Sequence, residues 1–188
     1  MKRHITAGLL VALIAALAVS TATSQSQSVL SEQQIPKGKQ TTRGLYVTAK
    51  QAYEMWKAAP DNVTVIDVRT PEEYIFIGHA KMAWNIPFAV QTYEWDSDKK
   101  HFAMKPNPAF VSEVKELFAP GDTLLVMCRS GGRSAMWVNL LTEAGFETVY
   151  NIVDGVEGDK VKDPQSVYNG KRMRNSWKNS GLPWTYKL

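Results

Sequence analysis

Three short runs of apolar, mostly β-branched residues constrain this chain more than any other feature: VTVIDV (63–68), TLLVM (123–127) and TVYNI (148–152). Each is nearly continuous in its apolar character, as strands buried on both faces are. Between them lie stretches with helical spacing, and strand and helix alternate in units of some 25 to 40 residues. A strand that must cross over through a helix before the next strand re-enters the sheet in the same direction. The pattern predicts an α/β fold with a mostly parallel central sheet flanked by helices.

Local signals place the elements. In YVTAKQAYEMWKAA (46–59), Thr48 is suited to cap a helix, and Ala52, Met55, Trp56 and Ala59 share one face before Pro60-Asp61-Asn62 ends it. TPEEY (70–74) is a cap, an N1 proline and an acidic first turn, where Glu72 and Glu73 complement the helix dipole. AWNIP (83–87) is expected to be a further short strand. PAFVSEVKELF (108–118) sets Phe110, Val114, Leu117 and Phe118 on one helical face. RSAMWVNLLTEAGF (133–146) is a helix with Gly145 near its end. Residues 91–107 and 159–174 interrupt the rhythm and are expected to be surface insertions. The closing WKNSGLPWTYKL (177–188) carries Trp177, Leu182 and Trp184, which are expected to dock this end on the domain.

The first segment has the form of a secretory signal peptide: Lys2 and Arg3, an apolar run from Ile5 to Val19, then small residues around Ser20-Thr21-Ala22. The run falls short of the ~20 apolar residues that span a bilayer. Residues 1–22 are therefore expected to be a signal peptide, 23–43 a flexible leader, and 44–188 one domain, exported and periplasmic. If the signal stays attached, it is the expected membrane contact. Without Lys2 and Arg3 the net charge of +4 falls to +2, and no basic tract points to nucleic acid. The chain has one cysteine, so no internal disulfide is available to it. Outside the signal only His79 and His101 remain, with no metal-ligand spacing, and neither metal nor cofactor is expected.

That cysteine stands in MCRSGGRSA (127–135), directly after a buried strand and before a helix. Ligands of open α/β sheets bind at such carboxyl ends of strands. Gly131 and Gly132 permit positive φ, so that backbone N–H groups can converge on one point. The helix that follows aims its positive end there, and Arg129 and Arg133 add charge. All three effects favour a thiolate, which is the nucleophile, under a seat for an oxyanion. An inert buried thiol is the plainer alternative, but it gives no reason for a glycine-rich, doubly basic turn.

At these residues the chain resembles the rhodanese (thiosulfate sulfurtransferase) family. VIDVRTPEEYIFIGHAKMAWNIP (65–87), CRSGGRS (128–134) and a split ending, Asp154-Gly155-Val156 and then Trp177 to Pro183, carry the resemblance over about Gly44 to Pro183. Ala80 and Met82 depart from the family pattern, the 91–107 segment is enlarged, and Asp159 to Arg174 separate the halves of the ending. The resemblance implies a sulfurtransferase. Cys128 takes a sulfane sulfur from thiosulfate or a persulfide, holds it as a persulfide, and passes it to cyanide, a small thiol or a protein thiol. It implies that the backbone of Arg129, Ser130, Gly131, Gly132, Arg133 and Ser134 cradles the sulfur, while Arg129 or Arg133 attracts the anionic donor.

Asp67 and Arg69 are expected to support the site through charged hydrogen bonds, and His79 to be a hydrogen-bonded structural histidine. His101 is expected on the surface, and Lys171 to Arg174 to be a solvated basic face, the alternative being a patch that steers anions or docks an acidic partner. One rival is a non-enzymatic persulfide carrier or interaction module in an exported sulfur pathway. Another is arsenate reductase or phosphatase chemistry, for which the loop is one residue short, because the second arginine stands five residues after Cys128 rather than six. A cysteine hydrolase is weaker still, since no Cys–His pair is evident.

Overall fold

The computed structural model describes Leu30 and residues 32–188; the expected signal peptide lies outside the described residues. Two 3-10 turns (Glu32–Gln34 and Lys37–Lys39) lead into strand β1 (Tyr46–Val47) and helix α1 (Ala49–Ala58). Then follow β2 (Val63–Asp67), α2 (Pro71–Ile77), β3 (His79–Ala80), β4 (Trp84–Asn85), β5 (Ala89–Asp96), β6 (His101–Pro106) and α3 (Phe110–Leu117). The last elements are β7 (Thr123–Met127), α4 (Gly132–Glu143), β8 (Thr148–Ile152), β9 (Asp159–Lys160), β10 (Arg172–Arg174) and β11 (Trp184–Thr185).

Five strands form the central sheet in the order β1-β8-β7-β2-β4, and every pairing in it is parallel. Period-two alternation divides the core. Val65, Leu125, Met127 and Ile152 face α1 and the C-terminal segment. Ile66, Val68, Leu124, Val126 and Cys128 face α3 and α4, against Phe110, Val138, Leu141 and Phe146. Both expected caps form as full capping boxes, Thr48 with Gln51 and Thr70 with Glu73, and Pro71 opens α2.

Three regions differ from, or add to, the sequence expectations. Tyr46 and Val47, just ahead of the Thr48 cap, add an edge strand on β8. Residues 30 and 32–43, expected as a flexible leader, lie against the domain. Ile35 is buried with Tyr46 and Val153, and Lys39 forms an ion pair with Asp159 at 2.9 Å. Thr42 N–H also donates to Asn139 Oδ1 at 2.9 Å, and local periodicity reveals none of these contacts. The 91–107 segment is an antiparallel hairpin of β5 and β6, its strands mostly solvent-exposed.

The second interruption explains the split ending. After Gly155 and Val156 the chain leaves in the ribbon β9–β10 and then returns. Trp177 N–H donates to Gly155 O at 2.9 Å and Lys178 N–H to Val156 O at 3.2 Å, so hydrogen bonds rejoin the two halves. Trp177 is fully buried, its indole donates to Pro183 O at 2.9 Å, and β11 pairs with β3. Asp154 ties the junction to α1 by accepting from Ala49 N–H at 2.7 Å and Ser176 N–H at 3.2 Å. Its burial raises its pKa, against those hydrogen bonds.

Candidate active site

Cys128 follows β7 directly and is 1% exposed. The loop 128–131 carries it under the start of α4. From below, the DGVEG segment holds the loop: Val156 N–H donates to Cys128 O and Glu157 N–H to Arg129 O, both at 2.9 Å. This approach is close enough that a Cβ on Gly155, at φ +59°, would lie 2.4 Å from Cys128 O. Among the described residues, no acceptor takes the amide N–H groups of Arg129, Ser130, Gly131, Gly132 or Arg133. A glycine turn with free N–H groups at a helix start is an anion seat. Of the two glycines, only Gly131 takes positive φ (+87°); Gly132 is the first residue of α4.

Ser134 was expected to touch substrate. It is fully buried instead, with its Oγ 3.4 Å from Cys128 Sγ and 2.6 Å from Asn151 Oδ1. Asn151 Nδ2 donates to Gly131 O and to Lys39 O, both at 2.9 Å. Those two carbonyls fix the amide orientation, so Oδ1 must accept from Ser134. The hydroxyl has one proton. While it serves Asn151, the Oγ lone pairs are open to an S–H donor, and a rotation of the hydroxyl redirects that proton to a thiolate. Sequence reasoning missed Asn151; its signal is a polar side chain inside the otherwise apolar run TVYNI.

Arg133, expected to attract an anionic donor, is engaged by a carboxylate of the protein instead. Its guanidinium forks onto the Glu73 carboxylate at 2.8 and 2.6 Å and lies over the Phe88 ring. Burial works against the charge of both partners, but the paired hydrogen bonds prevail: the Arg133 pKa is raised and the Glu73 pKa lowered. The capping-box glutamate of α2 thus meets an arginine in the first turn of α4. Arg129 is exposed and has no side-chain hydrogen bond or ion pair among the described residues, which leaves it as the cation open to a ligand. The Ser130 side chain, half-buried, also lacks a protein partner there.

Asp67 and Arg69 form a fully buried pair at 2.7 Å. Arg69 also donates to Gly78 O at 2.8 Å, tying the end of β2 to the turn before His79. Burial opposes the Arg69 charge, yet Asp67 keeps its pKa raised. Buried His79 donates from Nδ1 to Tyr74 O at 3.0 Å and stacks on the Tyr74 ring at 3.6 Å. Burial, followed by the Asp67 charge, pushes the Tyr74 pKa up to about 12. His101 lies exposed on β6.

Residues 48–161 match the rhodanese-like domain model. The chain belongs to the rhodanese-like family. Over 90 residues, 48% of this chain and 68% of the relative, it is 39% identical to thiosulfate sulfurtransferase 16, chloroplastic, of Arabidopsis thaliana. It is 28% identical over 142 residues to an uncharacterised protein of Rickettsia conorii, covering 74% of this chain and 96% of that one. The crystal structure of Rv0390 from M. tuberculosis superposes with a TM-score of 0.58 at 29% identity, covering 75% of this chain and 96% of that one. These rhodanese-like relatives support sulfur transfer as the general class of chemistry.

Proposed function

We propose that this rhodanese-like protein moves a sulfane sulfur from thiosulfate, or from a persulfide, through a Cys128 persulfide to a thiophilic acceptor such as cyanide or a thiol. The observation that carries the reading is a single sulfur at the end of β7, under a loop whose N–H groups from Arg129 to Arg133 lack acceptors among the described residues. The Cys128 thiolate attacks the outer sulfur of thiosulfate. The Sγ–S bond forms, the S–S bond of the donor breaks, and sulfite leaves with the electron pair. The persulfide anion then rests against the loop N–H groups, which are pre-oriented and need no reorganisation. An acceptor thiolate attacks the terminal sulfur, takes it, and returns Cys128 as thiolate. Arg129 draws the anions in, and Ser134 supplies a hydroxyl whose proton follows the charge on Sγ.

Arg133 bears on the rival chemistry. In an arsenate reductase or phosphatase reading the second arginine clasps a tetrahedral oxyanion, whereas here Glu73 already occupies it. The test is intact mass after incubating the reduced protein with thiosulfate, beside Cys128→Ser. A gain of one sulfur on the parent alone, with sulfite released, is the expected result. No gain in a folded protein with a titratable thiol removes thiosulfate as donor. Rapid transfer to one protein thiol with slow turnover on small thiols would instead favour a persulfide carrier.

A further inference from the structure

The β5–β6 hairpin stands beside the cysteine loop and encloses an open cleft of ≈ 460 Å³ with it. One wall is Arg129, Arg133, Thr70 and Glu73; the other is the hairpin's Gln91, Trp95, His101, Phe102 and Met104. The hairpin is held in place at its base. Phe88 lies 5.0 Å from the Trp137 ring of α4 and beneath Arg133, and Asn107 N–H donates to Phe88 O at 2.7 Å. Trp95 and Phe102 meet edge to face at 5.3 Å and remain 56% and 42% exposed, with Met104 at 38%. Aromatic rings left this open beside a reactive loop point to a contact made by a ligand.

Charge narrows the class. Arg133 and Glu73 neutralise one another, and His101 Nδ1 donates to Phe102 O at 2.7 Å. Arg129 is then the cleft's unpaired cation among the described residues. A volume of this size is far larger than thiosulfate requires. We propose that the cleft is a subsite for the organic body of a singly anionic sulfur compound. The anionic sulfur end would sit at Arg129 and the loop, and a flat apolar body against Trp95, Phe102 and Met104. The proposal rests on the sulfur-transfer reading and extends it to an organic donor. For a thiosulfonate R–SO2–S⁻, the Cys128 thiolate attacks the terminal sulfur, Sγ–S forms, the donor S–S bond breaks, and the sulfinate R–SO2⁻ leaves with the electron pair, so charge is conserved.

Binding separates this subsite from the chemistry. In the full chain carrying Cys128→Ser, calorimetric titration compares benzenethiosulfonate with methanethiosulfonate, which have the same charged head and differ in the ring. The aryl compound is expected to bind about five- to tenfold tighter, the scale of one aromatic contact. Adding Trp95→Ala and Phe102→Ala should bring that ratio to about one, since the contact disappears. Arg129→Gln should weaken both compounds by a similar factor and leave their ratio in place. Equal binding of the two compounds at the outset, or a ratio that survives loss of both rings, overturns the subsite. Tight aryl binding in the parent protein, with sulfur delivered to Cys128 neither from the aryl compound nor from thiosulfate nor from a small-molecule persulfide, supports the subsite and overturns the sulfur-transfer reading.

Discussion

Adjacent glycines in the cysteine loop should respond oppositely to the same substitution. Gly131 has φ +87°, and a Cβ there would lie 2.2 Å from Val153 O and 2.6 Å from Val153 C. Val153 cannot retreat freely, because its N–H is bonded to Val47 O at 3.0 Å at the edge of the sheet. Gly131→Ala therefore combines left-handed strain of about 1–3 kcal/mol with overpacking of about 1–3 kcal/mol. The total, roughly 2–6 kcal/mol, is a large part of what a domain this size has to lose. Gly132 has no positive φ and opens α4, and a Cβ there would meet Gly38 O at 3.4 Å, an ordinary contact. Gly132→Ala should be neutral or stabilise by up to about 1 kcal/mol, through the less flexible unfolded chain. Urea unfolding followed by circular dichroism is the assay. Gly131→Ala should lower the midpoint by about 1–2 M at unchanged slope, and Gly132→Ala should leave it or raise it. Equal midpoints for the two variants would refute the claim that the Val153 contact and the left-handed turn shape this loop.

The Glu73–Arg133 bridge should show in the pH dependence of stability. The folded Glu73 pKa lies below its ordinary value of 4.5, so the bridge's contribution is present above that value and is lost as pH falls through the folded pKa. Urea midpoints measured down to pH 3 should fall less steeply for Glu73→Gln than for the parent, with a difference near neutrality of about 1–2 kcal/mol. Arg69→Met leaves Asp67 buried and unpaired, and should cost about 3–5 kcal/mol in the same assay. Asn151→Ala strands Gly131 O, Lys39 O and the Ser134 hydroxyl; it should cost about 2–4 kcal/mol and speed reaction of the buried Cys128 thiol with a disulfide reagent at neutral pH.

Much of this was legible in local pattern. The runs at 63–68, 123–127 and 148–152 announce their strands because burial on both faces demands continuous apolar residues. Thr48 and Thr70 announce their helices because a cap is a contact across three residues. The cysteine loop was legible for the same reason: strand end, glycines and helix start are consecutive. Arg133 was misjudged because its partner Glu73 is 60 residues away. The described part of the leader, residues 30 and 32–43, was misjudged because contacts such as that of Lys39 O with Asn151 span 112 residues. Ser134 was read as facing the ligand, while the rotation of α4 turns it inward beneath the sulfur.

The amino-acid sequence by itself determined the α/β alternation, the family, and Cys128 as the centre of the candidate site, because each is written in neighbouring residues. Only the tertiary structure decided which cation remains open, which polar groups hold the sulfur, and what stands at the mouth of the site. Those depend on charges and hydrogen bonds between distant segments, and a buried charge is satisfied by whichever partner the fold brings within reach. Glu73 takes Arg133, Asn151 takes Ser134, and Arg129 is left facing the cleft under the hairpin.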